Sequence, residues 1–327
     1  MTNRLYDDSS LFSIVMPTKN RPIFLQRSLL FLENQDFSGQ LLIVDGSDDP
    51  ISTENQWIID SHTTLNIIYI HTGNLGNALT EMHQGLKNVT SKYSLMYHDD
   101  DFFFLDEIDK CIDFLENNSD YVSAKGRFVW LSQVQDKEFK FSNQPMYSFT
   151  EVVNERRLAN MFDCYCHLFF SVIRREVFCH VLSHVPQYLD QGWFDQFASS
   201  LILGVRGKSH TFDGLFCIRQ VHPDQHHRRI IQASPYSHFP MILASPDFSK
   251  SYQDFRKCLI DSCQNFVCID NEQLGTILDH GLLSLLKRGF AGGTPPEHQD
   301  LEVMKQLQET GSVEQRKIRQ VVSLIIK

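Results

Sequence analysis

One unit repeats over the first 105 residues: a short apolar run that stops at polar or turn-forming residues, then a segment with apolar side chains at helical spacing. Phe12 to Met16 stops at Pro17, Leu41 to Val44 at Asp45-Gly46-Ser47-Asp48-Asp49-Pro50, and Ile67 to Ile70 at the loop His71 to Gly76. A fourth run, from Tyr93, stops at Asp99-Asp100-Asp101. Between them lie three helical segments. The first carries Phe24, Leu25, Leu29 and Leu32 and opens at Pro22, which suits a first helical turn; the second runs through Trp57, and the third covers Asn77 to Lys87. Strand–helix alternation of this kind predicts an α/β protein with a parallel, doubly wound, Rossmann-like sheet. Each strand then ends in a polar loop at the same sheet edge, where open α/β sheets bind ligands.

The fourth run carries the most chemistry. Three adjacent carboxylates, Asp99, Asp100 and Asp101, repel one another, so a folded chain needs a counter-charge for them. A divalent cation supplies it: hard oxygen donors suit Mg2+ or Mn2+, and such ions keep positions open for substrate phosphates. The alternative is a solvated acidic turn.

Bulk properties narrow the classes. The chain has 327 residues, 42% of them hydrophobic, enough for one large domain with an appendage. A formal charge of −10 argues against nucleic acid as a partner. No apolar run approaches the roughly 20 residues that span a bilayer, and Met1 to Ser10 has no signal-peptide core, so the expected location is the cytoplasm. The eight cysteines lie scattered, without CxxC pairs, as buried free thiols do.

Further along, Leu105 to Glu116 reads as an amphipathic helix, Tyr121 to Leu131 as a strand, and Gln133 to Tyr147 as an exposed loop. Val152 to Phe162 is helical. The run from Cys164 to Ile173 is β-prone, and its Cys164, Cys166 and His167 read as core rather than as a soft-metal site. A helix starts at Arg174. Asp195 opens another, Gln196 to Leu203, which Gly204 ends, and Trp193 and Phe194 beside it suit stacking on a ligand's ring. Lys208 to Val221 is a β run leading to His222, followed by His226, His227, Arg228 and Arg229 in a cationic loop. Helical spacing returns in Tyr252 to Cys268, Glu272 to Arg288 and Leu301 to Gln308. The last segment, Gln315 to Lys327, is a basic amphipathic helix that packs on its own domain, lies on a membrane surface at the inner face, or pairs with a second copy.

Four motifs, in order and at matching spacing, resemble a GT-A glycosyltransferase of the family 2 type: Ser13-Ile14-Val15-Met16-Pro17-Thr18-Lys19-Asn20-Arg21-Pro22, Leu42-Ile43-Val44-Asp45-Gly46-Ser47, Asn74-Leu75-Gly76-Asn77-Ala78, and His98-Asp99-Asp100-Asp101 where that family has its DXD run. The resemblance implies a GT-A fold over residues 1–235, with a nucleotide-sugar half (1–105) and an acceptor half (106–235), and a helical region over 236–327. It implies transfer of a sugar from a nucleotide-diphosphate donor, UDP-linked, to a glycan, lipid-linked or protein hydroxyl, with Mn2+ or Mg2+. Pro17, Thr18, Asp45 and Asn74 would line base and ribose, although Asp45 before Gly46 equally suits an Asx turn. Lys19 and Arg21 either counter phosphate charge or are solvated. The first Asp of the family's motif falls on His98, a departure. Asp100 is then the main metal ligand, Asp99 a ligand, support or ribose contact, Asp101 a ligand or support, and His98 a structural residue; a slid motif would use Asp99 and Asp101. His222 is the candidate third ligand and Arg219 a phosphate contact. Asp195 is the candidate general base for inverting transfer, with Asp190 in reserve. A retaining transferase, a catalytically silent GT-A domain and a sugar-nucleotide pyrophosphorylase are the alternatives. The last would want a glycine-rich loop after the first strand, which Pro17 to Arg21 lacks.

Overall fold

Four parallel strands form the expected doubly wound half of the sheet: β1 (Phe12–Thr18), β2 (Gln40–Asp45), β3 (Asn66–His71) and β4 (Tyr93–Met96), in the order β3-β2-β1-β4. The computed structural model describes residues 4–73, 78–135, 138–144, 146–185, 194–222, 243, 246–290 and 311–326. Helices α1 (Pro22–Glu33), α2 (Ile51–Ser61) and α3 (Ala78–Leu86) connect the strands. Pro17 does not stop β1, which runs on to Thr18. Val15 O accepts from Tyr97 N at 2.9 Å, so Pro17, two residues on, has its missing N–H on the β4 side. The β1–β4 register has already ended there, at Val15 opposite Met96, and no ladder bond is lost.

The sheet continues as a mixed one. β5 (Asp101–Phe103), α4 (Leu105–Asn117), β6 (Tyr121–Gln135), β7 (Glu138–Asn143), α5 (Asn154–Asp163), β8 (Val172–Arg174), α6 (Arg175–His184), α7 (Phe194–Arg206) and β9 (Lys208–Val221) follow in the chain. The full strand order is β3-β2-β1-β4-β8-β6-β9-β5, with β7 on β6.

Two expectations change. The stretch 133–147 is not a loop: β6 runs to Gln135 and pairs antiparallel with β7. Glu138-Phe139-Lys140-Phe141-Ser142 alternates polar and apolar, the period of a strand with one face covered. Conversely, the β-prone stretch 164–173 is a strand only at Val172–Arg174. Cys166, Leu168, Phe169 and Phe170 are all buried, and Lys125 Nζ donates to His167 O at 2.9 Å, so the segment is a core-filling coil. Gly204 does not end α7, which continues to Arg206.

The C-terminal helices share the main core. In α8 (Phe248–Cys263), Phe255 stacks on Phe197 of α7 with centroids 5.5 Å apart. In α9 (Asn271–Phe290), Gly281 lies against Phe162 of α5, where an added Cβ would come within 2.4 Å of the ring. The expected boundary near residue 235 and the helix over 301–308 lie outside the described residues. The last helix, α10 (Val313–Ile325), turns Ile318, Val321 and Leu324 onto a second core made by Phe31, Phe102, Phe104, Val129, Leu131, Leu215 and Ile218. Lys317 anchors it, 2.9 Å from Asp106 Oδ2 and 4.7 Å above the Phe104 ring. Of the fates open to this helix, packing on its own domain is the one taken by its apolar stripe. No described helix is long and apolar enough to cross a membrane.

This packing sets an expectation. Val321→Asp buries an unpaired carboxylate beneath α10 and should destabilise its docking by about 2 kcal/mol or more. Limited proteolysis should then cut the C-terminal helix selectively, with a lower unfolding midpoint; unchanged protection would mean that the stripe contributes nothing to the fold.

Candidate active site

The site is built where β1, β2 and β4 end. Hydrogen bonds stitch their loops together: Gly46 N donates to Thr18 O at 3.0 Å, Thr72 N to Asp45 O at 2.9 Å, and Asn20 N to Ser47 Oγ at 2.7 Å. Asn20 also exchanges two 3.0 Å bonds with Asp48, and sits at φ 55°, a left-handed conformation that Asn tolerates. Asp45 is fully buried. Its Oδ1 accepts from Ser47 N at 2.8 Å, and its Oδ2 from Asn55 Nδ2 at 2.9 Å and Tyr69 OH at 2.8 Å. Three of about four lone-pair positions are therefore filled. The Asx-turn alternative describes Asp45 as it stands here, holding the β2 turn.

Beyond β4 the chain turns, Asp101 N donating to His98 O at 3.1 Å, and this aims the three carboxylates at different partners. Asp99 accepts from Thr18 Oγ1 at 2.7 Å and from Arg21, while its carbonyl accepts from Ser28 Oγ at 2.7 Å. Asp100 Oδ2 accepts from Arg21 at 3.0 Å and faces His222 Nε2 at 3.0 Å. Asp101 pairs with Arg219 Nε at 3.1 Å. Aromatic rings hold two of these partners in turn: the Arg219 guanidinium lies 5.0 Å from Trp130 and 4.4 Å from Phe170, and His222 stacks on Phe24 at 4.4 Å.

All three carboxylates are buried, and their environments separate them. Burial pushes Asp99 up to about 6 and Asp101 up to about 7, against the pull of Arg21 and Arg219 respectively. Burial acts on Asp100 too, but its bond to His222 and the charge of Arg21 outweigh it and hold the group well below the ordinary carboxylate range.

One ligand atom each from His98, Asp100 and Asp101 lies within 4.8 Å of the others. Two carboxylates and an imidazole in one buried turn fit a divalent cation. His98, set aside from sequence as structural, is thus in the converging trio. Both oxygens of Asp99 are taken, by Thr18 and Arg21, whereas Arg21 and His222 share Oδ2 of Asp100, and Asp101 is paired with Arg219. The signal for His98 was present, because it occupies the first position of the acidic motif.

Asp195 lies in the first turn of α7 and is 8% exposed; its Oδ1 accepts from Gln196 N at 2.6 Å. Phe194 is no sugar platform, because its ring faces the core, 4.7 Å from Phe255. A run of rings links this carboxylate to the acidic turn. Burial raises the Tyr165 phenol, and the nearby Asp195 charge adds to the effect. Tyr165 OH lies 3.1 Å from His167 Nδ1, the His167 ring is 6.1 Å from Phe170, and Phe170 meets His98 edge-on at 4.8 Å. This connection exists because 164–171 is a largely buried coil rather than the strand its β propensity predicts. Arg21 turns into the acidic turn, Pro17 lies within β1, and Lys19 is close enough to act on Glu81. Asn74, Asp190, Trp193, His226, His227, Arg228 and Arg229 lie outside the described residues.

No curated protein matches the sequence. Among solved structures, the fold resembles TarS of S. aureus. Its 1–349 fragment in complex with UDP gives a TM-score of 0.55 at 15% identity, covering 97% of this chain and 89% of that one. The same fragment in complex with UDP-GlcNAc gives 0.55 at 14% identity, over the same shares. Against the longer TarS chain the score is 0.52 at 15% identity, covering 94% of this chain but only 46% of that one. Residues 13–181, just over half of the chain, match the sequence model of "Glycosyl transferase family 2". With that match, a doubly wound sheet and an acidic turn at its ligand-binding edge, the chain belongs to glycosyl transferase family 2.

Proposed function

We propose that the protein moves a sugar from a UDP-linked donor to a hydroxyl acceptor, using a divalent metal ion at the acidic turn. The observation that carries this reading is the convergence of His98, Asp100 and Asp101 at the carboxyl edge of β4, in a chain of this family. The UDP and UDP-GlcNAc complexes of TarS support a uridine donor. His98, Asp100 and Asp101 would hold the ion, and a mixed nitrogen and oxygen donor set favours Mn2+ over Mg2+. A bound ion would neutralise the departing diphosphate. The protein's own groups prepare the site. Arg219 and Arg21 orient the carboxylates and draw Asp101 and Asp99 back towards the charged form against burial, and Thr18 and Ser28 fix Asp99.

Asp195 is the proposed base. Its carboxylate takes the acceptor's hydroxyl proton as the new bond to the anomeric carbon forms and the bond to the diphosphate oxygen breaks, giving inversion. Burial at a helix start supports the role: the helix dipole favours a charged carboxylate there, and few waters compete for it. His98 does not argue for a silent domain, since imidazole is itself a common metal ligand.

Two outcomes test the reading. Asp195→Asn should cut transfer by roughly 10²–10⁴-fold while UDP affinity, by calorimetry, stays near the wild-type value; transfer at the wild-type rate would remove Asp195 from the role. In a panel of nucleotide sugars with Mn2+, slow release of free nucleoside diphosphate should occur with one donor and vanish in Asp100→Ala. His98→Ala should raise the Mn2+ concentration for half-maximal release by roughly tenfold or more. A purely structural His98 would lower the unfolding midpoint and leave the metal titration alone.

A further inference from the structure

Glu81 is a buried carboxyl to which neither the family motifs nor the chemistry above gives a task. It lies in the first turn of α3, 2% exposed, and its Oε1 has no hydrogen-bond partner among the described residues. The carboxyl is pressed against the turn that follows β2: a Cβ added at Gly46 would stand 2.1 Å from Oε1, so only glycine leaves this place free. The charges that reach it are Lys19, from the loop after β1, and Asp45, from the end of β2. Burial first, then Asp45, pushes it up to about 7 against the pull of Lys19. A second orphaned acceptor belongs to a residue bound to the same turn. Asn55 Nδ2 is spent on Asp45 and Ser47, which leaves the buried Asn55 Oδ1 unpartnered among the described residues.

A buried polar atom without a partner is costly, so two of them around one turn at a ligand-binding edge call for a ligand that donates. Its place in the sheet says which part of the ligand. With the order β2-β1-β4, the acidic turn marks the diphosphate at β4, Thr18 stands between, and Gly46 with Glu81 lies two strand spacings away, about 10 Å. A nucleoside reaches that far from its phosphates, so its base end arrives at Glu81. Asp45, the group that sequence reasoning assigned to the base, has most of its capacity filled by Ser47, Asn55 and Tyr69.

We infer that Glu81 reads the donor's nucleobase, its carboxylate accepting the ring N–H of a lactam base, uracil or guanine, while Asp45 holds the turn beneath. Cytosine and adenine present a bare ring nitrogen at the corresponding position, an acceptor facing an acceptor. The N–H of a bound base replaces the hydration that Oε1 lacks, and so favours the charged form of the carboxyl. The inference rests on the nucleotide-sugar reading above and specifies which bases that reading admits.

The test is calorimetric binding of UDP, GDP, CDP, ADP and inorganic pyrophosphate, each with Mn2+, to the wild-type chain and to Glu81→Gln, with unfolding midpoints for both. The wild type should bind UDP or GDP at least about tenfold more tightly than CDP and ADP, the size of one charge-assisted hydrogen bond. Glu81→Gln should lose most of that preference while keeping its pyrophosphate affinity and its midpoint. A preference that survives in Glu81→Gln, or a wild type that favours CDP or ADP, overturns the inference and leaves the transferase reading standing. A wild type that binds no nucleoside diphosphate overturns both. A variant whose pyrophosphate affinity falls together with its nucleotide affinity also overturns the inference, because Glu81 would then act on the frame rather than on the base.

Discussion

Three consecutive carboxylates buried together set the terms for the rest of this molecule. Asp99, Asp100 and Asp101 would drive the turn open if each faced the others without compensation, since charges in a poorly solvated place repel strongly. The fold answers with two arginines and a histidine drawn from distant parts of the chain. Arg21 comes from the loop after β1 and bridges Asp99 and Asp100, while Arg219 and His222 come from the end of β9. Each needs its own scaffold. Arg21 depends on the β1 loop tied to Ser47, Arg219 on its seat between Trp130 and Phe170, and His222 on Phe24 of α1.

This arrangement makes one unit of elements far apart in sequence. β5 begins at Asp101 itself and pairs Asp101 with Arg219 in register, so the ion pair and the strand ladder enforce each other. Phe102 and Phe104 then turn into the second core, which α10 closes. The C-terminal helix thus shares a core with Phe102 and Phe104, which directly follow the acidic turn. On the other side, Phe170 contacts both His98 and Arg219, and the rings behind it lead through His167 and Tyr165 to Asp195. Side-chain rings thus run from the acidic turn towards Asp195 and pack against His98 and Arg219 on the way.

What could be read early follows physical locality. The strands β1 to β4 and their helices were legible because each is a short apolar run closed by residues with strong turn chemistry. Asp99 to Asp101 were legible as a site because like charges in sequence demand an explanation. The stretch 164–173 misled because β propensity records fit to a pleated surface, and its aromatic residues were instead filling space between sheet and helices. The β7 hairpin was hidden by its polar face. Sequence does not show that His98 converges with Asp100 and Asp101, because that depends on how the turn folds, nor that Asn55 and Tyr69, 10 and 24 residues away, fill oxygens of Asp45.

Sequence alone determined the alternation of strand and helix, the edge at which chemistry would gather, and the charge problem at that edge, because each depends on neighbours along the chain. Tertiary structure decided which side chain answers which charge. Arg21 rather than solvent meets Asp99, Arg219 meets Asp101, and His222 meets Asp100, while Glu81 is left with an unmatched oxygen beside Gly46. Those pairings depend on distances between residues tens to more than a hundred positions apart, and only the closing of the sheet sets them.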